Sequence, residues 1–383
     1  MRHGADRLEP PVRSRLCVVR PAHWYTPGVP PSTWSLDPAR LRCSPLLAQN
    51  GTATTATDEI GSARFGATEL RVVSAAGVLY LPELRLQVMG DDLVPVEAME
   101  DPWNLEFRVA NGFDGQAARY REARQVSGSD LDVCVLANWT SRNFMHWVTE
   151  EMPKVMVAEA AGFSGHYVVD TEPGFPRQLL HMVGIDETRI VAQPSGPTRY
   201  RSAIFLPTLS GRVNSVGDVY LTLRRWLQEA SGATVDAPRR RIWMERTHGS
   251  ANGRTGIVNQ PEIDEVLSWH DVERVDLATL PVKEQIALSS SAELLMGPHG
   301  AAFAHVLFQP HESDVVECFS PAFINAYVVL DLCVLMRHRY RMVVHNNAYG
   351  AYPYGDDLRV DCTQLELALD AIGQAKDPVR RFH

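Results

Sequence analysis

The sequence has no lysine-rich tail and no excess of positive charge: its formal net charge is −9 over 383 residues. Nucleic-acid-binding proteins present a basic face, so this balance argues against nucleic acid as a partner. The longest apolar runs fall well short of a bilayer span, so no transmembrane segment is predicted. The basic run Arg239, Arg240 and Arg241 is either a local charged patch or a solvated lead-in to a strand.

The six cysteines form no CxxC pair and no cluster with histidine. Several lie inside apolar runs, as Cys134 does, which predicts buried free thiols in a reducing compartment. The N-terminal stretch is charged and has no apolar core, so we expect no secretory signal. The prediction is a cytoplasmic protein, with attachment to the inner face of the membrane through a partner left open.

Several catalytic and binding motifs are absent. The sequence has no HExxH, no DxD between apolar strands and no Cys/His spacing, so no metal site is predicted. It also lacks GxGxxG, a P-loop and the GxSxG context of a hydrolase nucleophile. No repeat of solenoid period is present.

What is present is an ordinary globular composition, 45% hydrophobic and 22% charged, in a chain long enough for two domains. Alternating strand and helix patterns predict an α/β fold with two Rossmann-like halves joined near residue 235. A strand is predicted at 16–20 and a loop at 51–62. The predicted parts are an irregular arm (1–62), a β-rich meander (63–130), two α/β blocks (131–234 and 235–345) and a C-terminal loop and helix (346–383).

The first α/β block contains a helix, predicted from about residue 143 and broken at Pro153, that follows an apolar strand at 131–137. His146 and Glu150 are four residues apart and share a face of this helix. A histidine beside a carboxylate can act as a general base. Asn143 and Glu151 belong to the same constellation and are candidate contacts to the acceptor or sugar. The alternative is a surface ion pair beside a core residue.

The second block contains Leu280–Phe308, which predicts a helix, a short buried strand at 294–296, a Gly-Pro-His-Gly turn and a second helix. The free N–H groups at a helix N-terminus favour an anion, and His299 in the turn can add a donor. Arg246, at the end of a strand, can clamp a diphosphate or form an interdomain salt bridge.

Three further polar residues are predicted near this turn. Glu284 and Gln285, with His299, are candidates for hydrogen bonds to ribose, base or phosphate, and Glu317 is a candidate contact to a sugar hydroxyl. The alternatives are helix capping for the first two and a satisfied buried carboxylate for Glu317.

Two segments resemble the glycosyltransferase 61 family. Asn143–Lys154 is similar to its N-x-x-H-W-x-x-E-x-L-P-R motif, and Leu280–Phe308 followed by Val315–Glu317 is similar to its second motif. The resemblance covers roughly residues 65–345. It implies a GT-B-like fold, in which two Rossmann-type domains face a cleft, and an inverting enzyme that uses nucleotide sugars, usually UDP-linked. Bacterial members often act in cell-surface polysaccharide biosynthesis.

The resemblance also implies roles and partners. His146 and Glu150 fall on the catalytic, acceptor side, and the donor side comprises Arg246, Glu284, Gln285, His299, Gly300 and Ala301. The partners implied are a nucleotide-sugar donor and a glycan or other hydroxyl acceptor, with no cofactor or metal required. The chain has Ala302 where the family has a second glycine and His305 where it commonly has asparagine.

Two other function classes remain open on the sequence alone. One is a nucleotide-sugar epimerase or hydrolase, because a fold does not fix a reaction. The other is a non-catalytic protein that binds a nucleotide sugar or a glycan.

Overall fold

The computed structural model describes residues 57–65, 68–83, 85–89, 94–95, 126–138, 140–205, 217–233, 239–246, 257–320, 327–344 and 358–376. The strand predicted at 16–20, most of the arm and the loop around Arg254 lie outside these ranges.

The described strands form two sheets, and the first sheet is mixed. Its strands are β1 (Thr57–Phe65), β2 (Thr68–Ala76), β3 (Leu79–Leu81), β4 (Leu86–Met89), β5 (Val94–Pro95), β6 (Ser127–Val135), β7 (His166–Val169), β8 (Ile190–Ala192) and β9 (Thr198–Phe205). The order is β5-β4-β3-β9-β6-β7-β8, and β2 pairs with both β1 and β9. Strands β6, β7, β8 and β9 pair in parallel.

The antiparallel meander predicted upstream of residue 130 is present, and it is hydrogen-bonded into this same sheet. Strands β2 and β3 both pair antiparallel with β9. The predicted loop at 51–62 is wrong from Thr57 onward, where β1 begins. Asp58 and Gly61 disfavour a strand locally, but pairing with β2 along nearly the whole strand decides the outcome.

The second sheet is entirely parallel among the described residues. Its strands are β10 (Arg240–Met244), β11 (Glu273–Val275), β12 (Ala292–Pro298), β13 (Asp314–Phe319) and β14 (Arg339–Val344). Their order is β11-β10-β12-β13-β14. This sheet confirms the alternating pattern predicted for the second block.

Helices connect the strands of both sheets. Helix α1 has three consecutive parts, α-helical Phe144–His146, π-helical Trp147–Glu151 and α-helical Met152–Ala160. The others are α2 (Phe175–Met182), α3 (Gly217–Ser231), α4 (Gln260–Trp269), α5 (Val282–Ser290), α6 (Tyr327–Met336) and α7 (Cys362–Lys376). Short 3-10 helices occupy Glu187–Arg189, Leu277–Thr279 and Ala301–Phe308.

Two local predictions are corrected here. Helix α1 is not broken at Pro153 but runs through it, with the turn before the proline widened to a π-helix. The segment after the Gly-Pro-His-Gly turn is a 3-10 helix, Ala301–Phe308, where an α-helix was predicted. Packing of its apolar side chains in the core overrides the local preference for an α-helix.

The second sheet is covered on both faces because its side chains alternate between two cores. Ile242 and Met244 of β10 belong to one buried cluster, and Trp243 belongs to the other. The cluster around Trp243 includes residues of α4 and α7. The near-continuous apolar strands therefore follow from a parallel sheet buried on both sides.

One core connects the two sheets. It contains Leu136 next to β6, Trp147 of α1 and Tyr220 of α3, together with Phe303 and Leu307 of the 3-10 helix after β12. The helices of the first sheet therefore pack directly against those of the second. This brings together the two strand-to-helix turns that carry the predicted site residues.

Candidate functional site

The first turn lies between β6 and α1. Asn143 caps the helix, because its side-chain oxygen accepts a hydrogen bond from Met145 N at 2.9 Å. That oxygen is therefore engaged by the backbone, whereas the sequence predicted a contact to the acceptor.

His146 and Glu150 form the pair that their spacing predicts. Nδ1 of His146 lies 2.5 Å from Oε1 of Glu150. Because an ionised carboxylate only accepts hydrogen bonds, Nδ1 carries the proton and Nε2 is the basic nitrogen. The His146 side chain is 34% exposed and that of Glu150 only 7%. This geometry fits a base that reaches substrate, with its orienting group held behind it.

The electrostatics of His146 favour the charged imidazole. Burial disfavours the imidazolium, but the charge of Glu150, its hydrogen bond and the charge of Glu151 together raise the pKa of His146 above its ordinary value. An imidazole that is stabilised on protonation is suited to take a proton from a hydroxyl.

Glu151 points inside the protein. It is fully buried, accepts a hydrogen bond from Asn138 Nδ2 and lies 3.6 Å from Nζ of buried Lys154. Thr140 Oγ1 extends this network, at 2.7 Å from Asn138 Oδ1 and 3.3 Å from Glu150 Oε2. The predicted contact of Glu151 with an acceptor is not possible from this position. Its role in the structure is to hold the loop before α1.

The second turn lies between β12 and the 3-10 helix. Nδ1 of His299 is 2.6 Å from Oε1 of Glu317, and the hydroxyl of Tyr340 donates to Oε2 of Glu317 at 2.6 Å. Glu317 is fully buried, so it orients His299 and does not reach a sugar hydroxyl as predicted. Burial raises the pKa of Glu317, against the lowering effects of His299 and Tyr340.

Arg246 follows β10 and reaches this same turn, where its guanidinium donates to the carbonyl of His299. The predicted neighbours Arg246 and His299 are therefore in direct contact. The backbone beside them is tightly packed, since Gly297 has φ +155° and a Cβ there would lie 2.6 Å from the carbonyl oxygen of Met244. Only glycine allows β10 and β12 to approach so closely at their carboxyl ends.

The remaining donor-side predictions separate. Gln285 is buried on α5 and its Oε1 lies 3.0 Å from Nε2 of His305, whereas Glu284 is exposed in the first turn of that helix. Gly300 caps the 3-10 helix in an extended conformation, and Ala301 is its first residue. Gln285 therefore stabilises the 3-10 helix from the protein interior, because its amide oxygen is hydrogen-bonded to His305.

His305 joins the two turns. Its ring stacks on Phe144, the first residue of α1, with centroids 4.9 Å apart. Burial lowers the pKa of His305 to about 3, so the ring is neutral and Nε2–H donates to Gln285. The departure from the family at this position is a packing contact between the two halves of the site.

Residues 144–316 match the family described as Glycosyltransferase 61. This segment of the chain is similar to the glycosyltransferase 61 family. The matched range starts at the first residue of α1 and ends one residue before Glu317. It contains His146, Glu150, Arg246 and His299, so both turns of the site lie within the matched segment.

A curated relative is similar to part of the chain. It is the EGF domain-specific O-linked N-acetylglucosamine transferase of Drosophila melanogaster, 33% identical over 91 residues. Those residues are 22% of this chain and 17% of the relative, so the chain spans a small fraction of the relative's length.

Three observations limit other kinds of site in the described ranges. No three histidine, cysteine, aspartate or glutamate side chains there are grouped to hold a metal ion. No helix among these residues has the length and apolarity to cross a bilayer. Two surface depressions of about 320 and 400 Å³ lie along α3 and include no predicted site residue.

Sequence reasoning missed the residues that support the site. Asn138, Thr140 and Lys154 stabilise the first turn, and Tyr340 holds Glu317 behind the second. Each acts through a contact made only in the folded chain. The one available signal was the polar turn after the 131–137 strand, because polar residues at a strand's carboxyl end often line a site.

Proposed function

We propose that the protein is an inverting glycosyltransferase that moves a sugar from a UDP-linked nucleotide sugar to a hydroxyl acceptor. The observation that carries this proposal is the meeting of two His–Glu pairs on adjacent strand-to-helix turns, joined by the Phe144–His305 stack. In the proposed GT-B arrangement, each turn supplies one side of a cleft.

His146 is the proposed general base. Nε2 removes the proton from the acceptor hydroxyl while the hydroxyl oxygen attacks the anomeric carbon. The new C–O bond forms on one face as the bond to the nucleoside diphosphate breaks on the other, which inverts the configuration. Glu150 stabilises the imidazolium through its 2.5 Å contact to Nδ1.

The leaving diphosphate gains negative charge, and the residues of the proposed donor side stabilise that charge. Arg246 and His299 lie in contact at the second turn, next to the first backbone N–H groups of the 3-10 helix. A preorganised guanidinium, an imidazole N–H and backbone N–H dipoles can stabilise a leaving phosphate without a metal. We therefore expect turnover to persist in EDTA.

The relative's name bears on the choice of donor and of acceptor. The relative is named as an O-linked N-acetylglucosamine transferase, so UDP-N-acetylglucosamine is the first donor to test. For the acceptor we favour a glycan hydroxyl in cell-surface polysaccharide biosynthesis, at the inner face of the membrane. A hydroxyl on an EGF domain is the competing acceptor, on the relative's example.

A thermal-shift screen of nucleotides and nucleotide sugars tests donor binding. A ligand that binds only the folded protein at 100 times its Kd stabilises it by about 2.7 kcal/mol. We expect UDP and its sugar conjugates to raise Tm, and radiolabelled sugar to pass to an acceptor. Sugar release without an acceptor would indicate a hydrolase, isomerised donor an epimerase, and binding without any change a non-catalytic protein.

Replacement of the proposed base is the sharpest test of mechanism. His146→Ala is expected to lower kcat at least about 100-fold and to keep the UDP-induced rise in Tm, because a positioned base contributes about 10²–10⁴-fold. The matched control is His181→Ala. His181 lies on α2 and forms an exposed pair with Glu187. Full activity in His146→Ala would contradict the assignment.

A further inference from the structure

The π-helical turn of α1 begins directly after His146 and contains Glu150. Single π turns are rare and recur at functional sites, because the longer repeat changes which side chains share a face. Here residues four and five positions after His146, Glu150 and Glu151, both contribute to its electrostatic environment. The widened turn thus sets the geometry of the proposed base.

Pro153 explains why the turn is widened. In a regular α-helix the carbonyl of Thr149 would accept the N–H of residue 153. A proline has no N–H, and its ring clashes with the carbonyl four residues before it. The widened turn relieves that clash, and Met152 N instead bonds to the carbonyl of Trp147, five residues back. The helix then continues to Ala160.

The carbonyl of Thr149 is bonded by a residue from another helix. The hydroxyl of Tyr220 on α3 donates to it at 2.7 Å, and the tyrosine is fully buried. Burial, and then the charge of Glu150, raise the pKa of Tyr220 well above its ordinary value, so this hydroxyl remains a donor. A buried carbonyl without a partner would destabilise the fold, so the tyrosine hydroxyl stabilises the turn in this form.

We propose that Pro153 and Tyr220 are positioning residues for the His146–Glu150 pair: the proline widens the turn and the tyrosine hydroxyl holds it in that form. This rests on the proposed function of His146 as the base. Neither residue need touch substrate, so both act through the backbone of α1.

The test compares Tyr220→Phe with Pro153→Ala. Tyr220→Phe keeps the ring and removes only the hydroxyl. Pro153→Ala supplies the missing N–H and allows the turn to become α-helical. We expect both to lower kcat by on the order of tenfold to a hundredfold with donor KM nearly unchanged, as for small misplacements of reacting groups. If Tyr220→Phe does not fold, Pro153→Ala still decides, since it removes no hydrogen bond.

The matched control is Tyr167→Phe. Tyr167 is also fully buried, and its hydroxyl donates at 2.5 Å to Glu159, near the far end of α1 from the π turn. Loss of this hydroxyl is expected to lower Tm and to leave kcat within about twofold. Equal losses of kcat in Tyr220→Phe and Tyr167→Phe would overturn the proposal, because they would mark a general effect of helix stability.

A second readout does not depend on turnover. The pKa of His146 is measured by NMR of isotopically labelled histidine, assigned with His146→Ala. In Tyr220→Phe and Pro153→Ala it is expected to fall toward its ordinary value as Glu150 shifts. An unchanged pKa with wild-type kcat would overturn the positioning role and leave the transferase intact. If both variants lower the pKa of His146 but the wild-type protein transfers no sugar, the positioning role stands and only the proposed function is overturned.

Discussion

Glu150 and Glu317 face the same task in different surroundings. Each accepts a hydrogen bond from Nδ1 of a histidine, but Glu150 belongs to a helix turn whose histidine is partly exposed, whereas Glu317 is fully enclosed with Tyr340. A partly exposed pair can exchange protons with substrate and solvent. An enclosed carboxylate serves to fix one ring orientation.

The pair on α1 gives a pH prediction. The pKa of His146 is raised above its ordinary value, so the neutral base, and hence kcat/KM, appears only as pH rises through that raised pKa. Glu150→Gln removes the charge that stabilises the imidazolium. We expect the acidic limb of the kcat/KM profile to move to lower pH, with a plateau about tenfold lower or more. An acidic limb that stays in place would assign the titration to another group.

At the level of elements, the site depends on how closely β10 and β12 approach. Gly297 lies near the end of β12 against the backbone of Met244, and Pro298 connects it to His299. The contact of Arg246 with the His299 carbonyl is made at this same edge. Strand spacing therefore sets the donor side.

Gly297→Ala tests this spacing. The new Cβ would meet the Met244 carbonyl oxygen at 2.6 Å, at a φ that L residues rarely adopt. We expect the free energy of unfolding, measured in urea, to fall by more than about 1 kcal/mol. Gly373→Ala, in α7 with open space around it, is the control and should stabilise by about 0.5–1 kcal/mol. Equal stability of the two variants would show that the edge relaxes freely.

At the scale of the whole molecule, one buried core spans both sheets, and ionisable groups are buried beside it. His305 and His338 are two of these groups, and burial lowers their pKa values to about 3 and about 4. Both must stay neutral in the fold. The histidines contribute stability that is fully present above the ordinary histidine pKa and is lost as pH falls toward these lowered values.

Acid unfolding measures this cost. Each histidine adds up to about 1.4 kcal/mol per pH unit to the loss of stability below pH ~6.5. In His305→Asn, whose amide can also donate to Gln285, we expect the slope of unfolding free energy between about pH 6 and pH 4 to fall by that amount. His181→Asn, the same substitution at an exposed site, is the matched control. A wild-type slope in His305→Asn would refute the buried neutral ring.

Local patterns were enough to predict some of this structure. The parallel strands of the second block and the His146–Glu150 pair follow from apolar runs and a spacing of four. Contacts between distant segments were not predictable, such as β9 pairing with β2 and β3, or Tyr340 reaching Glu317. The sequence predicted the π turn only as an interruption at Pro153, because it does not show which donor bonds to the displaced carbonyl.

The pairing of β9 with β2 and β3 has a consequence for the order of folding. In the sequence, β9 lies more than 100 residues after β2 and β3, and β6, β7 and β8 lie between them. Strands β10 to β14 all lie between residues 240 and 344 and contact one another along a shorter stretch. During synthesis the first sheet therefore stays incomplete until residue 205 has left the ribosome, and until then the edges of β2 and β3 that pair with β9 are open to chaperones and aggregation.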